Sequence, residues 1–182
     1  IKTKVKDQVA GTKSQLPLEE NDEVLRYINY FNSDRGKRTL ISGLRRAGRY
    51  NDMIRRILDE EGVPQELIFL AQAESGFLPR AVSPKAAVGM WQFIRATGAE
   101  YGLKQSPFVD DRLDPETATR AGARHLRDLY TTLGDWYLAM AAYNSGPGAV
   151  ARAVERTGYA DFWELYKRNM LPKETRNYVP II

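Results

Sequence analysis

The most restrictive feature of the sequence is an apolar segment, Leu67-Ile68-Phe69-Leu70-Ala71, that leads into Ala73-Glu74-Ser75-Gly76. Because a helix built from this segment is apolar around most of its circumference, the segment predicts a buried, central helix. Pro64 lies just before the segment and suits the first turn of a helix. A chain that contains such a helix must surround it with other elements.

The pattern along the rest of the chain predicts mostly helices. Apolar residues recur at three- and four-residue steps after Asn21, and cap or stop residues delimit the later segments. Helices are predicted at 22–31, 37–47, 51–61, 65–75, 91–101, 115–133, 136–143, 149–156, 161–167 and 174–178. Residues 76–89, which hold two Gly and two Pro, predict an irregular loop. With no alternating strand pattern and no internal repeat, the expected class is all-α.

The order of these segments predicts three parts. Residues 1–21 are polar and predict an extended N-terminal arm, 22–61 predict an N-terminal helical extension, and 62–182 predict the main domain. The chain begins with Ile1 and ends in the apolar run Pro180-Ile181-Ile182, so we expect it to be a segment of a longer precursor.

The amino-acid composition excludes several classes of site. The chain has no Cys, which excludes disulfide scaffolds, thiol nucleophiles and Cys-ligated zinc. Its single histidine, His125, makes a His-rich metal site or Ser-His-Asp chemistry hard to build, and we assign it no catalytic role. We expect neither a metal nor a cofactor.

Positive charge is concentrated in one region. Between positions 35 and 56 the sequence has one acidic residue, Asp52, and eight basic residues: Arg35, Lys37, Arg38, Arg45, Arg46, Arg49, Arg55 and Arg56. Such a run is typical of a solvated helix face, or of a surface that attracts nucleic acid, an anionic membrane or the cell-wall polymer. The sequence leaves both interpretations open.

Glu74 is the leading candidate for chemistry, because it ends the most apolar helix and precedes a Gly-containing loop. Removal from water disfavours the charged form of a carboxyl group and raises its pKa, which makes a Glu into a general acid near neutral pH. The structural alternative is a Glu that caps its helix or pairs with Arg80.

Uncharged polar groups follow Glu74 along the chain. Ser83 lies nine positions on, Gln92 ends the run Gly89-Met90-Trp91-Gln92, and Tyr143-Asn144 lie beside a Gly-rich turn. Hydroxyl and amide groups around one carboxyl suit a ligand that carries hydroxyl and acetamido groups, which is a sugar. Taken alone, Trp91 and Tyr143 indicate core residues rather than stacking platforms.

These motifs, taken in order, resemble those of the family 1 lytic transglycosylases. The resemblance rests on Glu74-Ser75, Ser83, Gly89-Met90-Trp91-Gln92, Ala142-Tyr143-Asn144-Ser145-Gly146 and Leu171-Pro172-Lys173-Glu174-Thr175-Arg176-Asn177-Tyr178-Val179. It spans roughly 62–179, and Trp91 together with Val63-Pro64-Gln65-Glu66-Leu67 is most similar to the D branch of the membrane-bound murein enzymes.

The resemblance implies a lysozyme-like helical domain at 62–182 that cleaves the β-1,4 bond between N-acetylmuramic acid and N-acetylglucosamine and leaves a 1,6-anhydromuramoyl end. It implies that Glu74 is first the acid and then the base. It also implies that Ser83, Gln92 and Asn144 bind substrate, that Met90 lines the cleft, and that Tyr143, Glu174 and Tyr178 lie near the catalytic carboxyl.

The same resemblance implies partners and a place in the cell. The partner is the peptidoglycan glycan strand rather than nucleic acid, and the chain is expected to be a monomer. The location is the periplasm of the bacterial envelope, with any outer-membrane anchor outside this segment.

Position 86 departs from the pattern of the family, which commonly has a Gly there. Ala86 indicates either that φ at this position is not positive or that the loop differs.

Two further functions stay open. A lysozyme-type hydrolase on the same fold needs a second carboxylate, roughly 5 to 9.5 Å from the first. Between Ser75 and Val109 the sequence offers only Glu100, so Asp110, Asp111 or Asp114 would have to fold back. A non-catalytic peptidoglycan-binding module is the other possibility.

Overall fold

The structure, a computed structural model, describes residues 13–182 and consists mainly of α-helices, as predicted. Isolated bridges are the only β-structure in this range. None of the helices in the described range is long and apolar enough to cross a membrane. The helices are α1 Asp22–Asn32, α2 Asp34–Ala47, α3 Asn51–Glu60, α4 Ile68–Ser75, α5 Arg95–Glu100, α6 Pro115–Leu133, α7 Trp136–Ser145, α8 Pro147–Thr157, α9 Phe162–Lys167 and α10 Lys173–Ile181, with short 3₁₀ turns at Gln65–Leu67 and Asp111–Leu113.

Part of the predicted arm packs on the body of the protein. Residues 1–12 lie outside the described part of the chain, and 13–21 form neither helix nor strand. Ser14 Oγ and the Gln15 N–H donate hydrogen bonds to Glu66 Oε1, at 2.7 and 2.8 Å, and the Leu16 side chain is buried. The division into three parts stays a prediction.

The core forms around α4 and α7. Ile68, Leu70 and Ala71 of α4 are buried, as its apolar sequence predicts. However, α7 is the helix that packs against α6, α8, α9 and α10, and its residues 138–142 are all buried. The prediction that α4 is buried is confirmed, but the prediction that it is the central helix is wrong. An apolar sequence indicates burial, but it does not indicate how many neighbours a helix has.

Side-chain caps fix where several helices begin. Asn21 Oδ1 accepts the Val24 N–H at 3.0 Å, Asp114 Oδ2 accepts the Thr117 N–H at 2.8 Å, and Asp135 accepts the Leu138 N–H at 2.9 Å. Each bond satisfies a backbone donor that the first turn of a helix leaves free. The predicted starts of α1, α6 and α7 are therefore confirmed.

The helix predicted at 91–101 is shorter than expected. It is confined to Arg95–Glu100, because Gln92 has φ of +54°, which a right-handed helix does not allow. Residues Val88 and Phe93 exchange backbone hydrogen bonds of 3.0 Å, which closes the segment between them into a tight turn. This turn carries the Gly89-Met90-Trp91-Gln92 motif.

The loop at Ala86 also contradicts an expectation. Ala86 has φ of +59°, so the first of the two alternatives for position 86, a φ that is not positive, is wrong. The Ser83 carbonyl accepts the Ala86 N–H at 2.9 Å, and the Ser83 N–H donates to the Ala87 carbonyl at 2.9 Å. These bonds hold the turn in the left-handed conformation despite the Cβ of Ala86.

We expect Ala86→Gly to stabilise the protein. A Cβ at this φ costs about 1–2 kcal/mol, and Ala86→Gly removes this cost. The greater conformational freedom of Gly in the unfolded chain offsets about 0.5–1 kcal/mol of this stabilisation. The free energy of unfolding in urea should therefore rise by about 1 kcal/mol. The matched control Ala87→Gly, at a position without positive φ, should lower it. A loss of stability in both variants would contradict the strain at Ala86.

Candidate active site

A cleft of about 950 Å³ lies where α4 and α7 end, between the loop at 82–94 and α10. It brings together groups that are up to 154 positions apart in the sequence, from Tyr27 to Ile181. Seven of the eight residues predicted for the site line this cleft, namely Glu74, Ser83, Gln92, Tyr143, Asn144, Glu174 and Tyr178.

Glu74 lies in the last turn of α4, which ends at Gly76 with φ of +58°. The Tyr178 hydroxyl donates a hydrogen bond to Glu74 Oε1 at 2.6 Å, so the partner of the carboxyl is a phenol of α10 and not Arg80. Burial raises the pKa of Glu74 to about 7; the Tyr178 hydrogen bond opposes this rise, and the negative charge of Glu174 adds to it. Near neutral pH this carboxyl can both give and take a proton.

The two tyrosines of the cleft do different things. Tyr178 contacts Glu74 directly, whereas the Tyr143 hydroxyl donates to the Trp91 carbonyl at 2.7 Å. Burial raises the pKa of both phenols well above the ordinary value, and the charge of Glu74 adds to the shift in each. Both phenols therefore stay protonated, and Tyr143 braces the turn that carries Gln92.

Glu174 and Asn144 form a second polar group on the α10 side. Glu174 Oε2 pairs with Lys85 Nζ at 2.8 Å, and this hydrogen bond lowers the pKa of Glu174. Asn144 Nδ2 is 3.5 Å from Glu174 Oε1, and Asn144 Oδ1 accepts the hydroxyl of buried Thr175 at 2.9 Å. The exposed Lys85–Glu174 pair joins the 82–94 loop to α10 across the cleft, at little gain in stability.

Ser83 and Gln92 present polar groups from the loop. Ser83 Oγ accepts the Ala87 N–H at 3.1 Å, which leaves its own proton available to a ligand. Gln92 Nε2 donates to the carbonyls of Ala81 and Gly89, at 3.2 and 2.9 Å, so its amide oxygen is the group left for a ligand. Gln92 has φ of +54°, so the backbone is strained at a residue that lines the cleft.

Met90 does not line the cleft, which corrects the expectation for it. Its side chain is fully buried in the core, and its carbonyl accepts the Ser75 hydroxyl at 2.7 Å. Trp91 is also fully buried, and its indole N–H donates to Thr119 Oγ1 at 2.8 Å, so it is a core residue as predicted. Gly89 is required before them, since a Cβ there would lie 1.9 Å from the Arg112 carbonyl oxygen.

The aspartates considered as a second carboxylate are held elsewhere. Asp110 pairs with Arg112 at 2.7 Å, Asp111 accepts the Lys104 N–H at 2.9 Å, and Asp114 caps α6. None of the three lines the cleft, so the second carboxylate that a hydrolase needs does not come from them. Besides Glu74, the acidic residues on its walls are Glu100 and Glu174.

The sequence did not indicate Tyr27, Lys85 or His125, which also line the cleft. Lys85 is two positions from Ser83 and could have been inferred from that motif. Tyr27 and His125 come from α1 and α6, and no local pattern signals their approach. Among residues 13–182, no three His, Asp or Glu side chains are grouped to hold a metal ion.

The basic run divides into bound and exposed side chains. Arg46 Nε donates to the Gly76 carbonyl at 2.7 Å and so ties α2 to the end of α4. Arg56 pairs with Glu60 and Glu116. Arg55 and Arg56 of α3 are exposed although they have side-chain partners. The remaining exposed members lie on or just after α2, and they are Arg35, Lys37, Arg38, Arg45 and Arg49.

We expect Tyr178→Phe and Glu174→Gln to move the pKa of Glu74 in opposite directions. Loss of the phenol removes a hydrogen bond to the carboxylate and should raise the pKa by about 1. Loss of the Glu174 charge should lower it, by a smaller amount because water screens this exposed group. Carboxyl ¹³C NMR titration of the protein labelled at Glu measures both, and shifts of the same sign would contradict this account.

Comparison with known proteins agrees with the geometry. The sequence profile of the family described as "Transglycosylase SLT domain" matches residues 52–166. The chain is 37% identical over 175 residues to membrane-bound lytic murein transglycosylase D of Escherichia coli K12, which covers 93% of this chain and 37% of that protein. It is 35% identical over 132 residues to peptidoglycan transglycosylase gp16 of Escherichia phage T7, covering 67% and 10% of the two chains.

A solved structure is similar as well. The 70-kDa soluble lytic transglycosylase Slt70 of Escherichia coli superposes with a TM-score of 0.64 and 29% identity, over 72% of this chain and 22% of that one. The chain thus spans only part of its relatives, 37% of the first curated relative by length. The profile match and the shared helical fold show that this chain belongs to the SLT family of transglycosylases.

Proposed function

We propose that this chain is the catalytic domain of a peptidoglycan lytic transglycosylase. It would cleave the β-1,4 bond between N-acetylmuramic acid and N-acetylglucosamine without water and leave a 1,6-anhydromuramoyl end. The observation that carries the proposal is Glu74, a half-buried carboxyl whose pKa desolvation raises to about 7, on the wall of a cleft of about 950 Å³. The names of the relatives support this substrate and reaction.

In the first step, protonated Glu74 gives its proton to the glycosidic oxygen as that oxygen leaves the muramoyl C1. Burial supports this role because it keeps the proton on Glu74 up to about pH 7. Tyr178 then holds the new carboxylate through the hydrogen bond it already makes. The charge of Glu174 disfavours a second negative charge nearby and so favours the proton donor.

In the second step, the Glu74 carboxylate takes the proton of the muramoyl C6 hydroxyl as that oxygen attacks C1. The nucleophile belongs to the substrate, so its effective concentration is high and no protein nucleophile is needed. Ser83, Gln92 and Asn144 offer one hydroxyl and two amide groups to orient the sugar. One carboxyl thus performs both proton transfers, and the protein returns to its starting state.

Glu174 and Glu100 keep the hydrolase as a second candidate, because each lines the cleft and could orient a water. Glu174 pairs with Lys85 at 2.8 Å, which suits a structural partner better than a base.

We infer a place in the bacterial cell envelope, since several relatives are named as membrane-bound murein enzymes. An outer-membrane anchor, a monomeric state and a preference for glycan over nucleic acid remain parts of this proposal.

We expect Glu74→Gln to abolish release of anhydromuropeptides from purified peptidoglycan. The amide is nearly isosteric but carries no transferable proton, so turnover should fall by at least about a thousandfold. The exposed control Glu155→Gln should retain full activity. Mass spectrometry of the products separates the candidates: a free reducing muramic acid, lost in Glu174→Gln or Glu100→Gln, would mean a hydrolase.

We expect the same Glu74→Gln change to stabilise the protein at high pH only. The folded chain holds the Glu74 proton to about pH 7 while the unfolded chain loses it near pH 4.5, so the folded state loses stability as pH rises between these values. This loss amounts to about 3 kcal/mol above pH 7. Urea unfolding at about pH 8 should show the variant more stable than the wild type, with little difference at about pH 4. Equal differences at both pH values would contradict the buried carboxyl.

A further inference from the structure

His125 is joined to two other side chains beneath the cleft. His125 Nδ1 lies 3.2 Å from the Tyr101 hydroxyl, and that hydroxyl lies 2.7 Å from Asp128 Oδ2. His125 and Asp128 are one turn apart on α6, and Tyr101 follows α5. The chain Asp128–Tyr101–His125 therefore runs from the surface toward the cleft, where His125 forms part of the wall.

The direction of these hydrogen bonds follows from the groups themselves. An ionised carboxylate only accepts, so the single proton of the Tyr101 hydroxyl goes to Asp128. The phenol oxygen is then left as an acceptor, and the contact with His125 requires a proton on Nδ1. The neutral ring consequently carries a bare lone pair on Nε2.

Nε2 is open to a ligand. No hydrogen bond to Nε2 exists among residues 13–182, and Nε2 is not among the buried polar atoms that lack a partner. Burial lowers the pKa of His125 to about 4, so the ring stays neutral at neutral pH. Nε2 is therefore an accessible acceptor without a partner among residues 13–182, on a side chain that lines the cleft.

The side chains around His125 indicate which chemical group of a ligand would donate to Nε2. The His125 ring lies between aromatic neighbours, with centroids 5.1 Å from Tyr143 and 6.3 Å from Phe93, and both of these line the same cleft. An acetamido group matches this arrangement, because it offers an N–H beside a methyl group that packs on aromatic rings. A hydroxyl would satisfy the acceptor but leave the apolar surface without a partner.

We propose that His125 Nε2 accepts a hydrogen bond from the acetamido N–H of a glycan residue, and that Tyr101 and Asp128 position it by fixing its tautomer. This proposal rests on the proposed function of the cleft. His125 binds and positions substrate, whereas the proton transfers stay with Glu74.

The first test uses the fact that the chain has a single histidine. In ¹⁵N NMR of the protein, the two ring nitrogens should show a protonated Nδ1 and an unprotonated Nε2 at neutral pH. Tyr101→Phe removes the acceptor and should give a mixture of tautomers. A wild-type ring protonated on Nε2 would overturn the proposal before any ligand is added.

The second test adds glycan. Soluble peptidoglycan strands, added to the Glu74→Gln protein so that they are not cleaved, should shift the Nε2 resonance upfield as it accepts a hydrogen bond. The same strands after de-N-acetylation should produce at most a small part of that shift. Equal shifts with both strands would assign the donor as a hydroxyl and overturn the acetamido proposal, as would no shift with the native strands.

The third test separates binding from packing. His125→Phe keeps a ring but no acceptor and should raise KM for glycan strands about tenfold, with kcat changed less than about twofold. His125→Gln keeps an amide oxygen near the position of Nε2 and should recover most of the affinity. A KM near the wild-type value in His125→Phe would mean that His125 only packs, and equal KM values in the two variants would also contradict the acceptor role. If the wild type releases no anhydromuropeptide, the proposed function fails, while the NMR tests still report on His125.

Discussion

The chemistry available in the cleft depends on the partial removal of one carboxyl group from water. Packing around the end of α4 leaves Glu74 only partly exposed, and the resulting desolvation penalty on its charged form raises its pKa to about 7. The protein limits this penalty rather than removing it, since Tyr178 supplies one hydrogen bond to the carboxylate and no cation pairs with it among residues 13–182. An arginine at this place would stabilise the fold and abolish the acid. The desolvation of Glu74 therefore lowers the stability of the protein near neutral pH, but it also keeps a proton on the carboxyl group there.

The rest of the fold holds the partners of that group in place. Gly76 caps α4 two residues after Glu74, and Arg46 of α2 binds the Gly76 carbonyl. The turn at 89–92 is fixed from the core side by buried Trp91 and its bond to Thr119, and from the cleft side by the Tyr143 hydroxyl. α10 adds Glu174 and Tyr178 from the far end of the chain. Rigid helices thus supply the acid and its phenol, while a strained loop supplies Ser83 and Gln92.

The sequence could predict the parts of this arrangement that depend on patterns among neighbouring residues. Apolar periodicity and caps such as Asp114 and Asp135 are local, and so the helices and most of their boundaries were predictable. The motifs were ordered along the chain in a pattern that predicted seven of the cleft residues. Backbone conformation at Gln92 and Ala86 was not predictable, because positive φ at residues other than Gly is imposed by tertiary packing. Met90 was predicted to line the cleft but its side chain is buried in the core, because the conformation of its turn also depends on tertiary packing. His125 could not be placed, because its approach to the cleft depends on how α6 packs against α7.

The most direct test of the central claim is the pH dependence of anhydromuropeptide release by the wild-type protein. If Glu74 must carry a proton to cleave the glycosidic bond, kcat/KM should fall as pH rises, with a midpoint near the pKa of about 7. A midpoint near the ordinary Glu value of 4.5, or a rate that stays constant into the alkaline range, would contradict the buried carboxyl as the proton donor.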